Sequence, residues 1–84
     1  LGNSLAIRLA DAVVSALPEP RPRFQVQRGA NGIDGLVAGA QGARLANPSG
    51  AAVLLGDVSL AHDLTSLSLF RELDVPLVVL LLDN

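Results

Sequence analysis

Two uninterrupted apolar stretches organise the last third of this chain. Residues 51–55 form one, and residues 77–82 form the other, directly after Pro76. Short continuous apolar runs of this kind predict parallel strands buried on both faces. Between them, Leu60, Leu64, Leu67, Leu69, Phe70 and Leu73 recur at roughly helical spacing, which predicts an amphipathic helix over 60–73. Proline cannot continue that helix, so Pro76 marks its end before the second strand. Strand, helix, strand in this order predicts a right-handed βαβ crossover and an α/β fold, a parallel sheet flanked by helices.

The first two thirds are less regular. Residues 3–8 read as a polar turn, and 9–17 as a short Ala-rich helix with Asp11 in its first turn. Pro18, Pro20 and Pro22 then make a stiff exposed connection. Residues 24–27 alternate apolar and polar as a short strand does, residues 28–32 form a glycine-rich turn, and residues 33–45 read as a helix. Gly35, Gly39 and Gly42 weaken that helix, which points to another backbone or a ligand approaching closely, or to plain helix packing. Asn47-Pro48-Ser49-Gly50 is a loop.

Composition changes the picture in one respect. Half of the 84 residues are hydrophobic, only 2% are aromatic, and the mean hydropathy is +0.47. A domain this small has a high surface-to-volume ratio and ordinarily carries more charge. The expectation is that residues 1–84 are part of a larger protein, a partial domain truncated at both ends. The longest apolar run, 75–82, is too short to span a bilayer, so no membrane span is expected. Six arginines, no lysine and a net charge of −2 give no footprint for nucleic acid. The absence of cysteine excludes disulfides and thiolate chemistry, and a single histidine excludes a histidine-rich metal centre.

Candidate chemistry sits at the strand ends. Gly56-Asp57-Val58-Ser59 follows the first apolar strand, and Asp83-Asn84 follows the second. Open α/β sheets bind ligands at the carboxyl ends of their strands. A carboxylate from Asp57 and an amide oxygen from Asn84 suit a hard cation such as Mg²⁺, which in turn holds a diphosphate. Backbone N–H groups at Val58 and Ser59 open the next helix and could receive phosphate oxygens. The alternative for the same residues is structural: Asp57 and Ser59 as helix caps, and Asp83-Asn84 as a turn. Asp34 and Asp63 are expected at helix N-termini, where negative charge is favoured, and His62 on a helix surface.

A Gly-Asp pair, one crossover helix, and an Asn at the end of the next strand together resemble the thiamine-diphosphate motif. Three blocks narrow the resemblance: Gly56-Asp57-Val58-Ser59 with His62-Asp63, the stretch from Arg28-Gly29-Ala30-Asn31-Gly32 to Ile33-Asp34-Gly35, and Gly2-Asn3-Ser4-Leu5-Ala6-Ile7-Arg8. In that order they are similar to the 2-succinyl-5-enolpyruvyl-6-hydroxy-3-cyclohexene-1-carboxylate (SEPHCHC) synthase family of menaquinone biosynthesis, and they cover essentially the whole chain.

This resemblance implies a partial thiamine-diphosphate-binding domain, from the C-terminal part of a cytoplasmic, homo-oligomeric enzyme that transfers aldehyde or ketone residues. The implied reaction is decarboxylation of 2-oxoglutarate and addition of the succinyl semialdehyde carbanion equivalent to isochorismate. The implied cofactors are thiamine diphosphate and Mg²⁺ or Mn²⁺. Asp57 and Asn84 match the metal ligands. Val58 and Ser59 match the diphosphate contact, and Asn31 and Ile33 match cofactor contacts, Ile33 being the apolar prop that keeps the cofactor bent. Ser4, Arg8 and Arg28 match the pocket for the two carboxylate substrates. Asn31 stands where the family often has Ser, and Asp83 where Asn is common. No catalytic residue is expected in this chain, because the activating glutamate belongs to another domain, so the isolated chain is expected to be inactive. Two other readings compete. One is a different thiamine-diphosphate enzyme of the acetohydroxyacid synthase or 2-oxoacid decarboxylase type. The other is a DNA-binding swapped-hairpin antitoxin, which the opening residues 2–9 also resemble.

Overall fold

The computed structural model describes residues 1–27, 32–72 and 74–83. Helix α1 spans Leu5–Val14 and helix α2 Leu36–Leu45. Strand β1 (Ala51–Gly56) leads into a short helix α3 (Asp57–His62), a 3₁₀ segment (Leu64–Glu72) and strand β2 (Leu77–Leu82). The two strands pair in parallel, Ala51 opposite Leu77 and Gly56 opposite Leu82. The βαβ unit and the α/β class are therefore present as the apolar pattern predicts.

The core forms where α2 covers one face of β1. Leu36 and Val37 from the helix meet Val53 and Leu55 from the strand, with Ala40, Leu60, Phe70 and Val79 packed around them. Alternation decides which strand residues take part. Val53 and Leu55 point into the core, while Ala52 before them is exposed and Leu54 between them is only partly buried. The expectation of strands buried on both faces does not hold. Val78 and Leu80 of β2 are each 51% exposed, because the described helices cover one face of that strand and leave the other open. Leu5, Leu9 and Val13, successive turns of α1, form a second exposed apolar row, while Ala6 and Ala10 are buried.

Four further expectations are corrected. Residues 5–8 are helical, so α1 starts four residues before the predicted 9–17 helix, and Asp11 is not in its first turn. A helix there also removes the β-hairpin that the DNA-binding alternative requires. Residues 24–27 belong to no strand; the Gln25 carbonyl accepts from the Leu1 amino terminus at 2.7 Å, and Phe24 and Val26 are exposed. Alternation gives an extended chain its two faces, but a strand also needs a neighbouring ladder. Helix α2 begins at Leu36 rather than at residue 33, because Gly35 takes a left-handed φ of 72°. The crossover helix predicted over 60–73 instead starts at Asp57, breaks at Asp63 and tightens into 3₁₀ geometry. Its last predicted residue, Leu73, lies outside the described residues.

At two of the three glycines of α2 a side chain approaches, rather than the backbone or ligand anticipated. The Gln27 side chain lies within 3.4 Å of a Cβ built at Gly35 and 3.2 Å of one at Gly39, whereas Gly42 has open space. At the C-terminal end of α2, Arg44 is only 2% exposed and stacks over the Phe70 ring, 5.6 Å from its centroid. Its charge suits the helix C-terminus, and the ring partly offsets the desolvation of the guanidinium. Its Nε and Nη2 have no hydrogen-bond partner among the described residues, nor does the buried Gln41 amide.

Gly50 starts the sheet. Its φ is 91°, and a Cβ there would lie 2.6 Å from the carbonyl oxygen of Pro76, the same oxygen that accepts the Ala51 amide at 3.1 Å. A side chain at this position both strains the backbone and displaces the first rung of the ladder. Gly50→Ala is expected to cost about 1–3 kcal/mol, read as a lowered unfolding midpoint of the full-length protein.

Candidate functional site

Three backbone or side-chain contacts tie the three sequence blocks together. The Gly2 amide donates to the Leu54 carbonyl at 2.7 Å, which lays the opening block along the carboxyl-terminal half of β1. A side chain at Gly2 would be crowded, because a Cβ would sit 3.1 Å from both the Leu54 oxygen and the Leu55 Cα. The Asn3 amide Nδ2 donates to the Gly32 carbonyl at 2.9 Å, joining the opening block to the glycine-rich block. Asp63 Oδ2 accepts the Val37 amide at 2.6 Å and the Ala38 amide at 3.2 Å, joining the Gly56–Asp63 block to the start of α2. Residues 2, 32 and 57, far apart in sequence, are thereby gathered around one region of β1.

Asp57 occupies the position anticipated for it. It follows directly on β1, in the first turn of α3, and is exposed. Gly56 is the N-cap, in extended conformation and without any side-chain cap bond, so Asp57 does not act as that cap. Val58 is exposed and Ser59 partly so. Register places Gly56 beside Leu82, so Asp57 and Asp83 follow adjacent parallel strands at the same end of the sheet. Among the described residues, no three His, Cys, Asp or Glu side chains converge as a metal cluster. The described carboxylates at this end of the sheet are Asp57 and Asp83, and so few suit a cation that takes most of its ligands from phosphate and water.

Ser4 and Arg8 are brought together by α1. They stand one turn apart, the Arg8 amide pointing to the Ser4 carbonyl at 3.4 Å, and both side chains are exposed. Ser4 fills the N-cap position yet makes no side-chain cap bond, and its backbone has φ 62° and ψ −127°. A non-glycine residue in that region is strained, and such strain gathers at functional sites. Ile33 follows Gly32 and is 39% exposed, so its side chain is available rather than part of the core. Arg28, Asn31 and Asn84 lie outside the described residues.

Asp63 has the most developed electrostatics in the chain. Burial pushes its carboxyl up. Hydrogen bonds from the Ser66 hydroxyl, and with the backbone at Ala38, Val37 and Gly35, outweigh that effect and hold it below the ordinary value of 3.8. It serves a helix N-terminus as expected, but that helix is α2, more than twenty residues earlier. His62 is exposed in the last turn of α3. Sequence reasoning missed Asn3. Its one available signal was its place beside Ser4 in a matched block, since a side-chain amide aimed at a distant carbonyl leaves no trace in local spacing.

A two-stranded parallel sheet flanked by helices, with an exposed carboxylate at its strand ends, defines the class: an α/β fold. All 84 residues align with the curated 2-succinyl-5-enolpyruvyl-6-hydroxy-3-cyclohexene-1-carboxylate synthase of Mannheimia succiniciproducens at 44% identity, covering 14% of that protein. The synthase of the same name from Shewanella sediminis aligns over all 84 residues at 42% identity, covering 15% of its length. The chain is a relative of one segment of these SEPHCHC synthases. No family model matches it, and no solved structure does. Among the described residues, no helix is long and apolar enough to cross a membrane.

Proposed function

We propose that this chain supplies part of the thiamine-diphosphate- and Mg²⁺-binding domain of a SEPHCHC synthase acting in menaquinone biosynthesis. The observation that carries the reading is the convergence of the three matched blocks around the carboxyl-terminal half of β1, in a chain 42–44% identical to such synthases along its whole length. Asp57 and Asn84 hold the divalent cation, Mg²⁺ or Mn²⁺. The backbone at Val58 and Ser59 receives the diphosphate, while Asn31 and Ile33 contact the rest of the cofactor. The exposed positions of Asp57, Val58 and Ile33 fit that work, since none is committed to the core.

Thiamine diphosphate, when bound, would supply the carbanion chemistry for decarboxylation of 2-oxoglutarate and addition of the resulting four-carbon unit to isochorismate. The chain's own residues bind and orient. Ser4 and Arg8, presented one turn apart, face the substrates together with Arg28. A guanidinium suits this pocket because its planar fork pairs bidentately with a carboxylate, and both substrates carry more than one. The exposed apolar row of α1 and the open face of β2 fit a partial domain covered by the rest of a larger, homo-oligomeric enzyme. The isolated chain is expected to be inactive.

The full-length protein is expected to release CO₂ from 2-oxoglutarate and consume isochorismate only when thiamine diphosphate and Mg²⁺ are both present. Activity indifferent to the cofactor would overturn the reading. Arg28→Ala is expected to leave cofactor affinity intact and to raise the KM of a carboxylate substrate by about 10- to 100-fold, the scale of a lost charge-assisted hydrogen bond. Unchanged steady-state kinetics would remove Arg28 from the pocket.

A further inference from the structure

The segment between the glycine-rich block and α2 is held at both ends by side chains from elsewhere in the chain. At its start, Asn3 Nδ2 donates to the Gly32 carbonyl across 29 positions of sequence. At its end, the Asp63 carboxylate takes the Val37 and Ala38 amides. Ile33 lies between these anchors, and Arg28 and Asn31 precede the first of them. Asn3 is itself anchored, because the neighbouring Gly2 is hydrogen-bonded to Leu54 and packs tightly against β1, where a Cβ would lie 3.1 Å from the strand backbone. Asn3, Gln27, Gly32, Asp34 and Leu36 line one shallow recess, so the amide works in a partly buried setting.

We propose that Asn3 is a positioning residue that uses its side-chain amide to hold the Gly32 carbonyl, and with it the neighbouring Ile33, against the opening block that carries Ser4 and Arg8. The inference rests on the functional reading above but assigns Asn3 no contact with substrate or cofactor. Its chemistry is specific. Only a donor can meet the Gly32 carbonyl, and a carboxylate of the same size would set one acceptor against another. The strained Ser4 backbone next to Asn3 fits this geometry, since a fixed Asn3 and a fixed helix start leave Ser4 to absorb the mismatch.

The test compares Asn3→Asp and Asn3→Ala with the parent full-length protein. Three quantities are measured: thermal midpoint, thiamine diphosphate affinity by calorimetric titration, and KM and kcat for the two carboxylate substrates. Both variants are expected to raise a substrate KM by about tenfold, the size of one neutral hydrogen bond in a partly buried site, with kcat largely unchanged. Asn3→Asp is expected to be the worse, because its side chain adds repulsion to the loss of the donor. A purely structural role would lower the midpoint without this split between KM and kcat, and that result overturns the proposal. So do kinetics indistinguishable from the parent. If Asn3→Asp fails to fold, Asn3→Ala decides on the same criteria. A parent protein that does not bind thiamine diphosphate overturns the underlying functional reading instead, which separates the two failures.

Discussion

Asp57→Ala is expected to abolish Mg²⁺-dependent binding of thiamine diphosphate by the full-length protein. The argument is one of supply. Asp57 is the described carboxylate directly after β1, it is exposed in the first turn of α3, and among the described residues no group of three acidic or histidine side chains converges to take over. Mg²⁺ demands near-ideal octahedral oxygen ligation and is usually held by one or two protein carboxylates together with phosphate and water. Asp83 follows the adjacent strand at the same end of the sheet, but the matched position for a side-chain ligand is Asn84, one residue later. Losing even an outer-shell partner of a metal commonly costs 10- to 100-fold in affinity, so removing a ligand is expected to cost more than about 100-fold. Calorimetric titration of cofactor with and without Mg²⁺ reads this directly. Undiminished affinity in Asp57→Ala would sink the metal assignment. Asp57→Asn, which keeps an oxygen and loses the charge, is expected to fall between parent and Asp57→Ala.

The second large effect concerns Asp63. Its carboxylate satisfies two of the amides that every α-helix leaves unpaired at its N-terminus, and Gly35 at the N-cap of α2 has no side chain to do so. Asp63→Ala therefore leaves the buried Val37 amide and the partly buried Ala38 amide without their acceptor. The expected cost is about 3 kcal/mol, combining a lost charged cap with unmet backbone donors. The sign of the pH dependence follows from the lowered carboxyl. As the pH falls, the unfolded chain takes up the proton first, near 3.8, while the folded protein resists until lower pH. Asp63's contribution is thus fully present above the unfolded value and is lost as the pH drops through the folded one. Thermal midpoints from pH 7 downward are expected to fall on the acid side in the parent and to fall less in Asp63→Asn. Hydrogen exchange gives a local check, since the Val37 and Ala38 amides should exchange faster in the variant. Unaltered protection at those two amides would show that the cap contributes nothing.

How much of this was legible beforehand varies along the chain for physical reasons. The two apolar runs and the turn signals around them located both strands to within a residue, because a short apolar run bounded by turn residues marks a strand even where one of its faces stays open. The crossover was recognisable as helical, yet its break at Asp63 was not, since the side chain that breaks it is answering a need of α2. Residues 24–27 show the reverse error. Their alternation is real, and the ladder that would make it a strand is missing among the described residues.

The candidate site divides along the same line. The placement of Asp57, Val58 and Ser59 just after a strand was readable from the chain, because a helix-opening turn after a strand is a local arrangement. Ser4 and Arg8 were readable only through resemblance to a family, and the helix start that sets them one turn apart came from the fold. The amino-acid sequence by itself determined the α/β class, the parallel crossover and the position of Asp57 at a strand end, all consequences of local periodicity and turn chemistry. Only the tertiary structure decided that Gly2, Asn3 and Asp63 bind the three blocks into one place. Those contacts join residues more than twenty positions apart, and no local pattern in a chain encodes which distant donor will find which acceptor.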